Sequence, residues 1–339
     1  MLRFSPSVTG VLAAGVIALT GSIGGVAATA APSTQVSVAT QVPAGVEGQQ
    51  RSDVVHQLSP EAELFQSTTR STEWDLVEKV SLDFETFHPQ GMALVGDRIY
   101  PSSVEIIEPT VPYDEPVDGM DRSAGVGQGH VFVLTRDGEL IKDIEVGEGD
   151  VYHPGGIDFD GEQVWVPVAE YRPNSASIAY TIDPETLQIT EQFRHDDHVG
   201  GVVRDQQTGK INGVSWGSRD FFTWNHHGKL KDQSLNPSHF IDYQDCDYSG
   251  HRTQLCYGVT NVNNDAGQSF ELGGIALTDL RTDEILHEVP VPMVSTAGHT
   301  ITRNPATLEA DGEVLRLFAA PDDGEETAGT ELFVYEARP

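Results

Sequence analysis

Basic residues, cysteine and long apolar runs are all scarce in this sequence. Its 339 residues carry only 20 Lys and Arg against 52 Asp and Glu, a formal net charge of −32. A surface of that sign repels phosphate at long range, which argues against nucleic acid and anionic membranes as partners. Beyond about residue 30 no stretch is apolar enough to span a bilayer, so no membrane insertion is expected. No His-Glu-x-x-His, phosphate-binding glycine loop or Cys-x-x-Cys occurs, which leaves the chemistry those patterns carry without a signpost. Against these absences stand 38% hydrophobic residues, enough for a sizeable core, and 34 glycines.

Residues 1–30 read as an export signal. Arg3 is the only charge, an apolar stretch runs from Val8 to Val26, and Ala28-Thr29-Ala30 offers a small-x-small cleavage pattern. Cleavage there implies an extracellular protein. In that setting the only two cysteines, Cys246 and Cys256, are expected to be bridged across the turn-like Ser249-Gly250-His251. Residues 31–70 are rich in Ala, Ser, Thr, Val, Gln and Pro without periodicity and read as a flexible leader. The folded domain is placed at 71–339.

From Trp74 onward the chain reads as short alternating or β-branched runs separated by Asp-Gly, Gly-Asp and Gly-rich turns, with no long amphipathic helix. The class is all-β. One phrase returns: His88-Pro89-Gln90-Gly91, His153-Pro154-Gly155-Gly156 and His198-Val199-Gly200-Gly201. Each opens a unit of two successive hairpins, and two further units fit, one from Ile241 and one from His299. The last is one strand short. Pairing the spare Trp74–Leu82 with Glu331–Glu336 closes a five-bladed β-propeller, which removes exposed sheet edges. A β-sandwich is the competing architecture, but a Greek key does not generate such repeats.

In a propeller the inner strand of each blade lines the channel, so equivalent positions converge. On this phasing His88, His153, His198 and His299 share one place in four blades, with Gln244 or Asp245 in the remaining one. Neutral imidazoles are common ligands of Zn, Mn or Fe, so His88, His153, His198 and His299 with Gln244 form a candidate metal centre. The alternative is that blade duplication copied a packing motif whose Gly-Gly pairs serve the narrow hub. Second-strand ends should lie beside the histidines. They offer Glu105 and Glu170 as acid and base, and Arg172, Arg219, Asn261 and Asp322 as substrate contacts. Solvated strand ends are polar in any case. Loop 106–129 has the length of a lid, and the acidic loops 263–265 and 322–326 are candidate Ca²⁺ holders without regular EF-hand spacing.

The repeated His-Pro-Gln-Gly and His-Pro-Gly-Gly starts resemble those of an uncharacterised family of secreted β-propellers. The histidine hub is more distantly similar to carotenoid-cleaving oxygenases, with iron on four histidines, and to oligogalacturonate lyases, with manganese on histidines and a glutamine. That similarity implies no more than His88, His153, His198 and His299 as metal ligands with Gln244 as a fifth; the reading from the residues themselves is a metal-dependent hydrolase or lyase at the channel. A non-catalytic propeller that binds a small molecule, saccharide or protein is the alternative, and the chain is expected to be a monomer.

Overall fold

A computed structural model of the protein describes residues 57–238, 240–324 and 329–339. The export signal expected at 1–30 lies outside the described residues, as does most of the leader. Alternation of apolar and polar side chains, punctuated by glycine turns, builds five four-to-five-stranded antiparallel sheets. Blade one comprises His88–Val95, Arg98–Glu108, Val126–Thr135 and Leu140–Val146. Blade two has an interrupted inner strand, Val151–Pro154 and Asp158–Phe159, followed by Val164–Glu170, Ser177–Ile182 and Ile189–His195. Blade three comprises Val199–Arg204, Ile211–Ser215, Asp220–Trp224 and Leu230–Leu235. Blade four comprises Asp242–Tyr248, Thr253–Asn263, Ser269–Asp279 and Ile285–Val291. Blade five takes Ala306–Asp311, Val314–Ala319 and Glu331–Ala337 from the C-terminal end and Asp75–Ser81 from the N-terminal side.

The expected closure is present. Asp75–Ser81 runs antiparallel to Glu331–Ala337, from Asp75 opposite Glu336 to Ser81 opposite Glu331. The expected disulfide is formed too: Cys246 and Cys256 stand directly opposite each other in the innermost hairpin of blade four, with an S–S distance of 2.04 Å. Apolar clusters fill the spaces between blades, for example Val131, Val133, Val166 and Ile178 between blades one and two.

One boundary differs from the sequence reading. Part of the segment read as leader is folded, in a short helix Pro60–Phe65 whose Ala62 and Phe65 are fully buried against Leu255, Tyr257 and Leu308 of blades four and five. Proline in the first turn with Glu61 and Glu63 favours a helix start. A helix of six residues is too short to display the periodicity that would have revealed it.

At the hub the repeated glycines are packing residues. A methyl group on Gly155 would lie 2.2 Å from Gly200 O, so only glycine allows the inner strands of blades two and three to close. Gly156 N donates to Gly200 O at 2.8 Å across this contact.

Candidate functional site

The starts of the inner strands surround a cavity of about 250 Å³ at the hub. His88, His153 and His198 stand on its wall together with Gln90 and Gln244, while Ser215, Trp216, Tyr171 and Tyr243 supply the remaining side chains. No Asp, Glu, Lys or Arg lines it. The strand register explains the convergence. His88 faces Val104 and His153 faces Ala169 in their hairpins, each one residue before the last pair preceding a bulge or break. His198 directly precedes Val199, which holds the matching place opposite Ser215.

Each imidazole has a different setting. His88 Nδ1 meets Asp323 Oδ2, a carboxylate that is itself buried. His198 Nδ1 donates to Glu170 O at 2.8 Å, which fixes the tautomer and leaves Nε2 as an acceptor. Burial lowers the His198 pKa to about 4, against the opposing pull of that carbonyl. His153 stacks on Tyr171 with ring centres 4.2 Å apart, and lies 5.9 Å from His198. It is only 5% exposed, yet neither of its ring nitrogens has a hydrogen-bond partner. Burial, reinforced by His198 and His88, holds it well below the usual histidine range. His153 and His198 are therefore neutral at ordinary pH.

His299 does not join them. The inner strand of blade five starts at Ala306, and His299 sits in the preceding turn, where Ser295 N donates to its carbonyl at 2.8 Å. Its Nδ1 lies 3.2 Å from Glu271 Oε1 and 2.8 Å from Arg303 Nη1. Gln244 does line the cavity, but at the bulge of blade four; the place equivalent to the imidazoles falls to Asp242, opposite Val259. Among the described residues, no group of three or more His, Cys, Asp or Glu side chains stands in metal-binding geometry.

The expected acid, base and substrate contacts mostly turn inward onto the protein. Glu105 stands on the flank of blade one, 4.0 Å from His130 Nε2. Glu170 is held by Arg172, whose Nε donates to its Oε2 at 2.6 Å, so these two neutralise each other and only the Glu170 carbonyl reaches the imidazoles. Arg219 latches the chain between blades three and four through Gly217 O, Ser238 O and Asp242. Asn261 is exposed on a projecting hairpin. Asp322 is buried and accepts from Ser295 Oγ at 2.5 Å. In the loop considered for Ca²⁺, Asn264 Oδ1 is occupied by Ala266 N and Gln268 N, the bonding of an ordinary turn. Residues 325–328 of the other acidic loop lie outside the described residues.

Gln90, Ser215 and Trp216 were not among the expected site residues. The expectation that no Gly-x-Ser-x-Gly occurs is corrected by the run Gly213-Val214-Ser215-Trp216-Gly217, which signals Ser215 and Trp216 though not Gln90. Its meaning differs from the hydrolase elbow: Ser215 has extended backbone (φ −80°, ψ −178°) and accepts from Asp220 N at 2.9 Å, without the strained strand-to-helix turn of an α/β sheet.

A family model matches residues 63–338, the whole ring. The chain belongs to DUF6454, a family of unknown function. No curated protein matches the sequence significantly. Among solved structures, this DUF6454 propeller is similar to a luciferin-regenerating enzyme at 10% identity and a TM-score of 0.43, covering 79% of this chain and 96% of that one. It is similar to the Malassezia sympodialis allergen Mala s 1 at 9% identity and a TM-score of 0.41, covering 77% and 96%. Hydrazine synthase of Kuenenia stuttgartiensis is matched at 10% identity and a TM-score of 0.36, covering 71% of this chain and 58% of that one. None of these informs the chemistry of the hub. Among the described residues no helix is long and apolar enough to cross a membrane.

Proposed function

We propose that the hub cavity is the functional site of an exported, monomeric propeller, and that it binds an uncharged, hydroxyl-rich molecule about the size of one sugar ring. The observation that carries this reading is a cavity with no charged lining residue in a chain of net charge −32. A charged ligand would be desolvated there without a counter-charge at the wall. Hydroxyls both donate and accept, which suits neutral imidazoles, the amides of Gln90 and Gln244 and the Ser215 hydroxyl. Tyr171 and Trp216 offer apolar faces with polar tips, the surface that a sugar ring covers. The volume of about 250 Å³ lies below that of pockets for drug-sized molecules, roughly 300–1,000 Å³.

His153 supports the same reading. An unpaired buried polar group costs about 1–3 kcal/mol, and a ligand hydroxyl would satisfy it. The Asp323 carboxylate orients His88 so that its second nitrogen is an acceptor, which supplies a general base for a hydrolytic or eliminative step on the bound molecule. A second reading, a transition metal such as Zn, Mn or Fe on His153 and His198 with Gln244, is favoured by one feature. His198 donates its other nitrogen to a carbonyl, the bond that metal-ligating imidazoles commonly make.

One preparation tests both. The chain is purified from defined medium, its metal content is measured, and it is titrated calorimetrically with a panel of neutral monosaccharides. Saturable binding of at least one sugar, lost in Trp216→Ala, with less than about a tenth of an equivalent of metal, is the expected result. Near-stoichiometric metal that disappears in His153→Ala would establish the second reading instead. Neither sugar nor metal would overturn both.

A further inference from the structure

The connection between the second and third strands of blade one contains a hairpin of its own, Pro112–Val117 with Met120–Arg122. A polar tongue of this kind has no core to join, yet it is pinned across the disc. Tyr152 Oη of blade two donates to Ala124 O at 2.6 Å, and Asn174 Nδ2, also of blade two, donates to Gly119 O at 3.0 Å. Farther on, the Arg122 guanidinium carbon lies 5.2 Å from the centre of the Trp216 ring in blade three. That indole is a wall of the hub cavity. The tongue therefore starts on blade one, crosses blade two and ends on the side chain that borders the site.

We propose that Arg122 is a specificity-determining residue: by holding the tongue on Trp216 it narrows the approach to the hub cavity to about one ring and keeps chains that would cross the face of the disc from entering. This rests on the reading of the cavity as the binding site. The guanidinium is oriented for the task, since Asp121 takes its Nε and Nη2 at 2.8 and 2.9 Å and leaves its face to the indole. Arg172 Nη1 reaches Arg122 O at 3.4 Å, so the arginine that pairs with Glu170 also steadies the tongue. A cation–π contact at a partly exposed site is weak, so the tongue is held on Trp216 without being locked. Molecules of the right size can still enter and leave.

The test needs no ligand, so its outcome is independent of whether a sugar binds. Diethyl pyrocarbonate modifies accessible neutral imidazoles, and mass spectrometry reads His153 and His198 separately. Two variants open the tongue. Arg122→Ala removes the contact with Trp216. In the second, 112–122 is replaced by Asn-Gly. Val111 and Ser123 already close the base of the hairpin, with Ser123 N donating to Val111 O at 2.9 Å, and a two-residue turn fits that pair. Modification of His153 and His198 is expected to be roughly threefold faster in Arg122→Ala, the loss of one weak cation–π contact, and faster still without the tongue. Equal rates in the parent and in a natively melting Arg122→Ala overturn the proposal. Should the shortened chain fail to fold, the Arg122→Ala comparison alone decides.

Discussion

Two stretches of the same channel are built on opposite principles. At the strand starts, the cavity keeps neutral polar groups poorly satisfied: His153 has no partner at either nitrogen. A few residues farther along the inner strands the hub is filled by three carboxyls, the buried Asp158 and Asp245 and the half-buried Asp247. Asp245 is bonded to its neighbours. Its Oδ2 accepts from Met92 N of blade one at 2.6 Å, and its Oδ1 accepts from Ile157 N of blade two at 3.0 Å and from Cys246 N at 3.1 Å. Asp247 Oδ2 accepts from Thr307 Oγ1 of blade five at 2.8 Å. Asp245, which ties blades together, is saturated, whereas His153, which faces the cavity, is left open; Asp158 takes Tyr248 N on Oδ1 at 3.1 Å and keeps Oδ2 unpaired. That difference separates cohesion from binding along a single axis.

The largest effect should come from breaking the saturated stretch. Asp245→Ala strands the amides of Met92 and Ile157 and is expected to cost about 3 kcal/mol or more, read as a lower urea midpoint. Asp245→Asn, which keeps an acceptor, should cost much less.

Next in size is a pH effect. Burial raises Asp158 to about 7, with repulsion from Asp160 adding to it, and burial also raises Asp245 and Asp247, with repulsion from Asp247 adding to the first and from Asp158 to the second. These groups bind more protons in the folded than in the unfolded state, so their contribution is fully present below the unfolded carboxyl pKa. It is lost as pH rises through the folded values. For Asp158 alone the loss between pH 5 and 8 is about 2–3 kcal/mol. Denaturation midpoints that rise across that interval would contradict the assignment, and Asp158→Asn should flatten the slope.

Smaller, and of opposite sign, is the effect expected at the open stretch. His153→Phe keeps the stack on Tyr171 and removes two unsatisfied atoms, so it should stabilise the fold by about 1 kcal/mol while abolishing binding at the cavity. A gain in melting temperature with no loss of ligand would separate His153 from the site.

The ring was legible because its signals are local and repeated. Paired strands, Asp-Gly turns and the spare strand at Asp75–Ser81 all follow from alternation and a count of strands per blade. His88, His153 and His198 were legible for the same reason, since each precedes the bulge of an inner strand. His299 was misplaced because the turn around Val294 and Thr300, bridged in the structure, reads like a blade opening although the inner strand comes later. Glu170 and Arg172 looked like a reactive rim because polarity alone does not show that two side chains face each other. Trp216 lies in an irregular segment after a second strand, where no period marks a wall of the cavity.

Because the ring is fastened by Asp75–Ser81 against Glu331–Ala337, every blade between them must be in place before the ring can shut. Until the final strand arrives, the first one has no mate and the last blade is a ragged edge. Arrival of Glu331–Ala337, rather than the emergence of any single hairpin, should therefore set when this propeller acquires its final form. Removing Glu331–Ala337 should leave an open, sticky arc.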